Sequence, residues 1–279
     1  MPIHDQSYRH YGGQREPLGR AWLVIVGDGV RTIMRKRAFI GLLLFAWLPF
    51  VVRAVQVYLA ANYPQMSMLA LKADTYREDL EKQGFFVFFI TIWVGAGLIA
   101  NDRRANALQI YLSKPLARAE YIAGKLGILM VFQIMVTWVP SMLLLLLQTL
   151  FAGSFDFVSK NLFIIPAITI FSFVQVLAAS FTMLALSSLS KSSRFVAILY
   201  AGIVFFTQAL YGIVYGVTRD SSFSWISFLA NLEEVGRLVF RAKMHYDTPW
   251  AVSLLAILAI VGVSIVVLER RVRGVEVVK

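Results

Sequence analysis

The side chains that could take part in catalysis are few in this sequence, and their spacing does not fit a catalytic site. Gly124 and Lys125 could end a phosphate-binding loop, but Leu126 follows them where such a loop needs Ser or Thr. There are no cysteines, and the histidines lack the spacing of a metal site: His4, His10 and His245. We therefore expect no enzymatic activity, metal or cofactor in this chain.

Membrane helices are the elements that must position the remaining polar residues. Apolar residues make up 58% of the 279 residues and charged residues 15%, whereas soluble proteins are roughly a quarter charged. Several apolar runs are long enough to cross about 30 Å of hydrocarbon as helices. They are residues 38–60, 84–101, 122–151, 161–189, 195–217 and 249–268. The sequence predicts an all-α membrane protein with six transmembrane helices.

The distribution of Lys and Arg predicts the orientation of these helices. Eighteen basic residues lie on the side of the two termini and eight in the three opposite loops. Because cytoplasmic loops carry the excess of Lys and Arg, both termini are predicted to lie in the cytoplasm. The same asymmetry accounts for the net charge of +11 without a nucleic acid partner.

The chain divides into a transmembrane domain, residues 38–268, and two cytoplasmic tails, residues 1–37 and 269–279. From residue 20 to residue 37, apolar and basic residues recur at helical spacing, which is typical of a helix lying in the membrane interface. Gly27 and Gly29 weaken this prediction. An ordinary basic flank of the first span is the alternative.

Glu233 and Glu234 lie in a long outer loop that is too apolar to be a simple linker. Apolar residues recur there at helical spacing, so we expect short helices half-embedded at the outer surface. The two glutamates would lie on the solvated face of such a helix, where they could form an outer gate or contact a periplasmic partner. A folded hairpin that only caps the bundle is the alternative.

The charged residues at membrane depth bear on how transport could be driven. No carboxylate falls within a predicted span, and a proton-coupled carrier usually needs a titratable group at that depth. Arg53 is the one charge inside a predicted span. We expect its guanidinium to reach the lipid headgroups, with a contact to an anionic substrate group as the alternative.

The charge-dense segment from residue 101 to residue 126 lies between the second and third spans on the predicted cytoplasmic side. Asp102, Arg103 and Arg104 open a predicted short helix, with Leu108 and Leu112 on its apolar stripe. Pro115 then ends the helix. A short amphipathic helix held by two spans could dock against a partner protein. An ordinary cytoplasmic loop is the alternative.

The spacing of Pro115, Arg118, Gly124 and Lys125 resembles the Pro-x-x-Arg and Gly-Lys segment of type-2 ATP-binding-cassette (ABC) exporter permeases. The similarity is to the stand-alone permeases of nitrous-oxide-reductase maturation, gliding-motility and bacteriocin-immunity systems. Asp102 matches the acidic start of the family pattern, and Leu108 matches its leucine. Four positions depart from the pattern: Asn106 and Ala107 stand where the family usually has Gly and Thr, and Arg103 and Arg104 stand where acidic residues are common.

The resemblance implies a membrane-spanning permease subunit in the bacterial inner membrane that acts as a homodimer or with a similar subunit. It implies a separate ABC ATPase as partner, contact with membrane lipid, and export of substrate rather than uptake. It also implies a coupling segment at residues 101–121, with a helix at about residues 102–113. The residues given an ATPase-coupling role are Asp102, Arg103, Arg104, Leu108, Leu112, Pro115, Arg118 and Lys125. The apolar spans suit a lipid-like or hydrophobic substrate. A secondary carrier and a non-transporting scaffold or signalling subunit for an ATPase are the alternatives.

Overall fold

The computed structural model describes residues 20–107 and 116–272. Leu108, Leu112 and Pro115 of the predicted coupling segment lie outside these ranges. The described residues form helices without β-strands, and six helices are long and apolar enough to span a membrane. We number them spans 1 to 6: Arg37–Asn62, Ala73–Arg104, Arg118–Ala152, Ile164–Leu189, Ser193–Thr218 and Trp250–Arg271. The prediction of an all-α protein with six spans is confirmed.

Four of these spans contain an interruption that apolar patterning does not reveal. Span 1 is divided at Trp47 into Arg37–Ala46 and Leu48–Asn62, and span 3 at Thr137 into Arg118–Val136 and Trp138–Ala152. Each second half has a proline in its first turn, a position that does not need the missing N–H. Span 2 contains the π-helical turn Thr91–Gly95 and resumes as the short helix Ala100–Arg104, and span 5 contains the π-helical turn Gly202–Phe206. Asp102, Arg103 and Arg104 therefore end span 2, and the prediction that they open a separate helix is wrong, because the backbone turns at Ala105 and Asn106.

Span 2 begins at Ala73 rather than at the predicted residue 84. Hydropathy misses the first turns because they are polar, but ion pairs within the helix support them. The guanidinium of Arg77, which is 3% exposed, pairs with the carboxylates of Asp74 and Glu81 one turn away on either side. Carboxylates therefore lie in the first turns of span 2, although none lies within the span predicted from the sequence.

Arg53 of span 1 forms an ion pair with Asp79 in these first turns of span 2. The Nη2 atom of Arg53 lies 2.8 Å from Oδ1 of Asp79, and its Nη1 donates to Oε1 of Gln56 at 2.8 Å. No partner for Arg53 within the protein was predicted from the sequence. A carboxylate of the protein supplies its counter-charge, because the helix extension brings Asp79 alongside span 1.

Span 4 lies at the centre of the bundle and packs against spans 2, 3 and 6. A buried polar network crosses its middle: the amide of Gln133 donates to Thr91 at 2.6 Å and accepts from Ser180 at 2.8 Å. Such side chains hold helices together where no water is present. Spans 1, 5 and 6 instead leave large apolar residues exposed, including Val52, Phe206, Ile213, Leu255 and Leu258, as lipid contact requires.

Two helices outside the spans were predicted from amphipathic spacing. An N-terminal helix, Ala21–Met34, packs along the start of span 3. An outer helix, Phe228–Val239, follows the 3₁₀ turn Ser221–Ile226 and packs against spans 2, 4 and 6. We call the end of the bundle that carries the outer helix the Glu233 end, and the opposite end the Asp102 end.

Candidate functional site

The carboxylate of Asp102 joins the end of span 2 to the start of span 3. Its Oδ2 atom lies 2.7 Å from Nζ of Lys125 and accepts a hydrogen bond from the hydroxyl of Tyr121 at 2.7 Å. The side chains of Asp102 and Lys125 are only 17% and 14% exposed, so solvent weakens this ion pair less than an open surface pair. Two residues singled out by the sequence, Asp102 and Lys125, are thus brought into direct contact.

Ser187 of span 4 fixes the irregular end of span 2 from the other side. Its hydroxyl accepts from the backbone N–H groups of Ile99 and Ala100, at 3.1 and 3.0 Å, and donates to the carbonyl of Ala96 at 3.0 Å. The guanidinium of Arg103 donates to the carbonyl of Ser188. The backbone leading into the coupling segment is therefore held by both span 3 and span 4.

Sequence reasoning missed Tyr121 and Ser187, which complete this arrangement. Tyr121 lies four residues before Lys125, one helical turn away, so its side chain shares a face with the lysine. That spacing is a signal that could have pointed to it. Ser187 resembles the other small polar residues at the end of span 4, and nothing in its sequence context distinguishes it.

Arg104 and Arg118 differ from the other charged residues of the predicted coupling set. Both are exposed, and neither forms an ion pair within residues 20–107 and 116–272. In contrast, the charged groups of Asp102 and Lys125 bind each other, and that of Arg103 binds the carbonyl of Ser188. The described part of the set therefore divides into three residues that brace the helices and two that leave a positive charge at the surface.

Asn106 gives a physical reason for one departure from the family pattern. Its φ angle is 53°, in the left-handed region. Glycine adopts this conformation without steric cost, and asparagine is among the few other residues that enter it readily. The family pattern thus has Gly at a position whose backbone conformation favours Gly. Asn106 can replace Gly there because asparagine also adopts the left-handed conformation.

Gly124 lets the N-terminal helix approach span 3 closely. A Cβ atom at this position would lie 2.7 Å from the side chain of Ile25, which is closer than packed carbon atoms come. Gly127 has the same relation to Val26, at 2.6 Å. The glycine of the Gly-Lys pair therefore serves helix packing, while Lys125 binds Asp102.

At the Glu233 end, the two predicted gate residues have different surroundings. Glu233 is partly exposed, pairs with Arg237 at 2.9 Å, and accepts a hydrogen bond from the hydroxyl of Tyr246 at 3.0 Å. Burial raises the pKa of Tyr246, and the neighbouring carboxylate of Glu233 raises it further. The tyrosine therefore stays protonated and able to donate.

Glu234 is fully buried, so the expectation that it lies on a solvated face is wrong. Its Oε1 atom accepts from the backbone N–H groups of His245 and Tyr246, at 2.8 and 3.0 Å. The cause is the chain after the outer helix, which turns back and offers these donors to the helix face.

Among the described residues, no cluster of His, Cys, Asp or Glu could hold a metal ion.

Fold and site together define a multi-pass helical membrane protein whose charged groups are gathered at the two ends of the bundle. Comparison with protein families matches residues 23–271 to the family described as ABC-2 family transporter protein. Because the match covers most of the chain, the protein belongs to that family. A search of curated proteins found no match.

Family membership makes the chain the membrane-spanning permease of an ABC transporter. Permeases of this family are typically membrane subunits without catalytic activity, and the family implies an ABC ATPase as the partner that hydrolyses ATP. The resemblance drawn from the Pro-x-x-Arg and Gly-Lys spacing is confirmed at the level of the family.

Proposed function

We propose that this permease exports its substrate across the bacterial inner membrane by alternating access. It works as a homodimer or with a similar subunit, has both termini in the cytoplasm, and is driven by two copies of a separate ATPase. The ATPase docks at the Asp102 end, on the coupling segment at residues 101–121. Closure of the ATPases around ATP moves this segment, and the spans attached to it follow.

The contact between Asp102, Lys125 and Tyr121 is the observation that carries this proposal. It ties together the two helices from which the coupling segment extends. Ser187 and Arg103 add a link to the central span 4. A push on the segment would therefore reach spans 2, 3 and 4 together instead of bending one loop.

ATP can shift the conformation only if the docked ATPase binds the two states of the permease with different affinity. Arg104 and Arg118 suit the contact on which that difference depends, because they are exposed and their charges are unused within the described ranges. Leu108, Leu112 and Pro115 complete the proposed docking surface.

Glu233 forms part of the outer gate in this proposal. Its ion pair with Arg237 and its hydrogen bond to Tyr246 connect the outer helix to the chain that follows it. Both contacts are partly exposed at the Glu233 end, so they can break and reform as the spans move. Glu234, which is buried and doubly hydrogen-bonded, holds the outer helix and the following chain in shape.

We predict that Arg104→Glu combined with Pro115→Gly uncouples the ATPase from the permease. The charge reversal opposes the docking contact, and glycine replaces the proline that is predicted from the sequence to end the coupling helix. Because the chain has no cysteines, spin labels on Lys82→Cys and Arg219→Cys can report distances at the Glu233 end. ATP is expected to change the distance in the otherwise unaltered protein and to leave it unchanged in the double variant.

Lys160→Glu is the matched control, since it reverses an exposed charge at the opposite end of the bundle. It is expected to respond to ATP normally. A normal ATP response in the Arg104→Glu, Pro115→Gly protein would remove the case for this coupling segment. A conformational change driven by an ion gradient without any ATPase would instead favour a secondary carrier.

A further inference from the structure

A mainly apolar pocket of about 300 Å³ lies between spans 2, 4 and 5 and the outer helix. Aromatic rings form much of its wall, including Phe88, Phe171, Tyr200, Phe205 and Phe228. Its volume and lining are those of small-molecule sites, which are mostly apolar with a few polar groups that orient the ligand.

A π-helical turn shapes one wall of this pocket. Val204 and Phe205 belong to the turn Gly202–Phe206 of span 5 and line the pocket. The ring of Phe205 contacts that of Phe88 in span 2, with centroids 5.0 Å apart. π-helical turns insert an extra residue into a helix and occur frequently at functional sites.

Gln175 lines the pocket and carries an unused hydrogen-bond acceptor. The residue is 5% exposed, and its Nε2 atom donates to the carbonyl of Leu80 at 3.2 Å. Its Oε1 atom is buried and has no hydrogen-bond partner among the described residues. A buried acceptor without a donor is unfavourable, so a ligand that brings an O–H or N–H group would stabilise this arrangement.

The carboxylates in the lining are already neutralised by arginines. Glu81 pairs with Arg77, and Glu233 pairs with Arg237. Neither arginine is among the lining residues. The pocket therefore offers no uncompensated charge and suits a neutral ligand.

We propose that this pocket binds a neutral, mainly apolar molecule whose hydroxyl or amide N–H donates to Oε1 of Gln175, and that this is the class of substrate the permease moves. The assignment as substrate rests on the proposed transport function. The binding itself does not, and it can be measured without the ATPase or ATP.

The probe is a photoactivatable dodecanol with a diazirine in its chain, compared with its methyl ether, which lacks the O–H donor. The full-length permease is labelled in lipid nanodiscs, and labelled peptides are mapped by mass spectrometry. We expect saturable labelling of spans 2, 4 and 5 that unlabelled dodecanol prevents. The ether should bind about tenfold more weakly, because it leaves the acceptor unpaired.

Two substitutions test separately the hydrogen bond to Gln175 and the volume of the pocket. Gln175→Leu is expected to abolish the difference between alcohol and ether. Gly84→Leu is expected to abolish the labelling by both probes, because Gly84 lines the pocket and a longer side chain would fill it. Gly84→Ala adds a Cβ at an ordinary 3.7 Å from Gln175, so it should fold and bind. Gly212→Leu is the control, since a Cβ there meets nothing within 4 Å.

Saturable labelling that Gly84→Leu leaves unchanged, or the same preference for the alcohol in Gln175→Leu, would overturn the proposal. So would labelling that rises only in proportion to the probe content of the bilayer. A negative result here leaves ATPase coupling untouched. A positive result together with a failed coupling test would retain the binding site and reject the transport function.

Discussion

Lys125→Met is expected to destabilise the permease and to uncouple it from its ATPase. The substitution leaves the carboxylate of Asp102, which is 17% exposed, with Tyr121 as its one remaining polar partner among the residues that the structure describes. Removing one member of a fully buried ion pair costs about 3–5 kcal/mol, and the partial exposure of this pair places the expected loss at the lower end of that range. The unfolding midpoint should fall, and stimulation of ATP hydrolysis by the permease should drop about tenfold, as expected for the loss of roughly 1.4 kcal/mol of coupling.

The double variant Asp102→Asn, Lys125→Met tests whether the loss of stability comes from the unpaired carboxylate of Asp102 or from altered packing of the side chain at position 125. With no unpaired carboxylate left, it is expected to recover most of the stability lost in Lys125→Met. Lys82→Met is the matched control, because the pair of Lys82 with Glu78 is 3.7 Å long and exposed, and such pairs contribute little. If Lys125→Met lost ATPase stimulation with an unchanged unfolding midpoint, Lys125 would not act as a brace within the bundle.

Glu234→Ala is expected to produce the largest loss of stability at the Glu233 end. It removes the fully buried carboxylate that accepts hydrogen bonds from the backbone N–H groups of His245 and Tyr246. A hydrogen bond to a charged group contributes about 1.5–3 kcal/mol, so the free energy of unfolding should fall by about 3 kcal/mol. In a chain of this size that corresponds to a decrease of roughly 5 °C in the unfolding midpoint.

Glu234→Gln retains an acceptor oxygen and is expected to lose much less stability. Glu233→Ala is the neighbouring control: it removes a partly exposed ion pair, and its cost should stay below about 1 kcal/mol. Under the gate proposal, Glu233→Ala should instead change how the Glu233 end responds to ATP. Equal destabilisation by Glu233→Ala and Glu234→Ala would contradict the distinct roles assigned to them.

The positions of the spanning helices could be predicted because long apolar runs in a bilayer have little choice of conformation. Span 4 was predicted at residues 161–189 and observed at Ile164–Leu189. The start of span 2 was misjudged because hydropathy counts Asp74, Arg77 and Glu81 as loop residues. They neutralise one another within a helix. The ion pair of Arg53 was missed for the same reason, since its partner belongs to that extension.

The candidate site could be predicted only where a motif marks it. The acidic start and the Gly-Lys pair drew attention to Asp102, Gly124 and Lys125, but not to their mutual contacts. Ser187 could not have been found, because its role depends on backbone groups 87 and 88 residues away. Glu234 was misplaced because its donors come from an irregular turn, and amphipathic spacing contains no information about such a turn.

A photo-crosslinking amino acid at position 104 of the full chain, expressed together with the partner ATPase, tests the central claim most directly. We predict a covalent adduct with the ATPase when the crosslinker replaces Arg104, and no adduct when it replaces Lys160 at the opposite end. An adduct from position 160 but not from position 104, or none from either, would contradict docking of the ATPase on this segment.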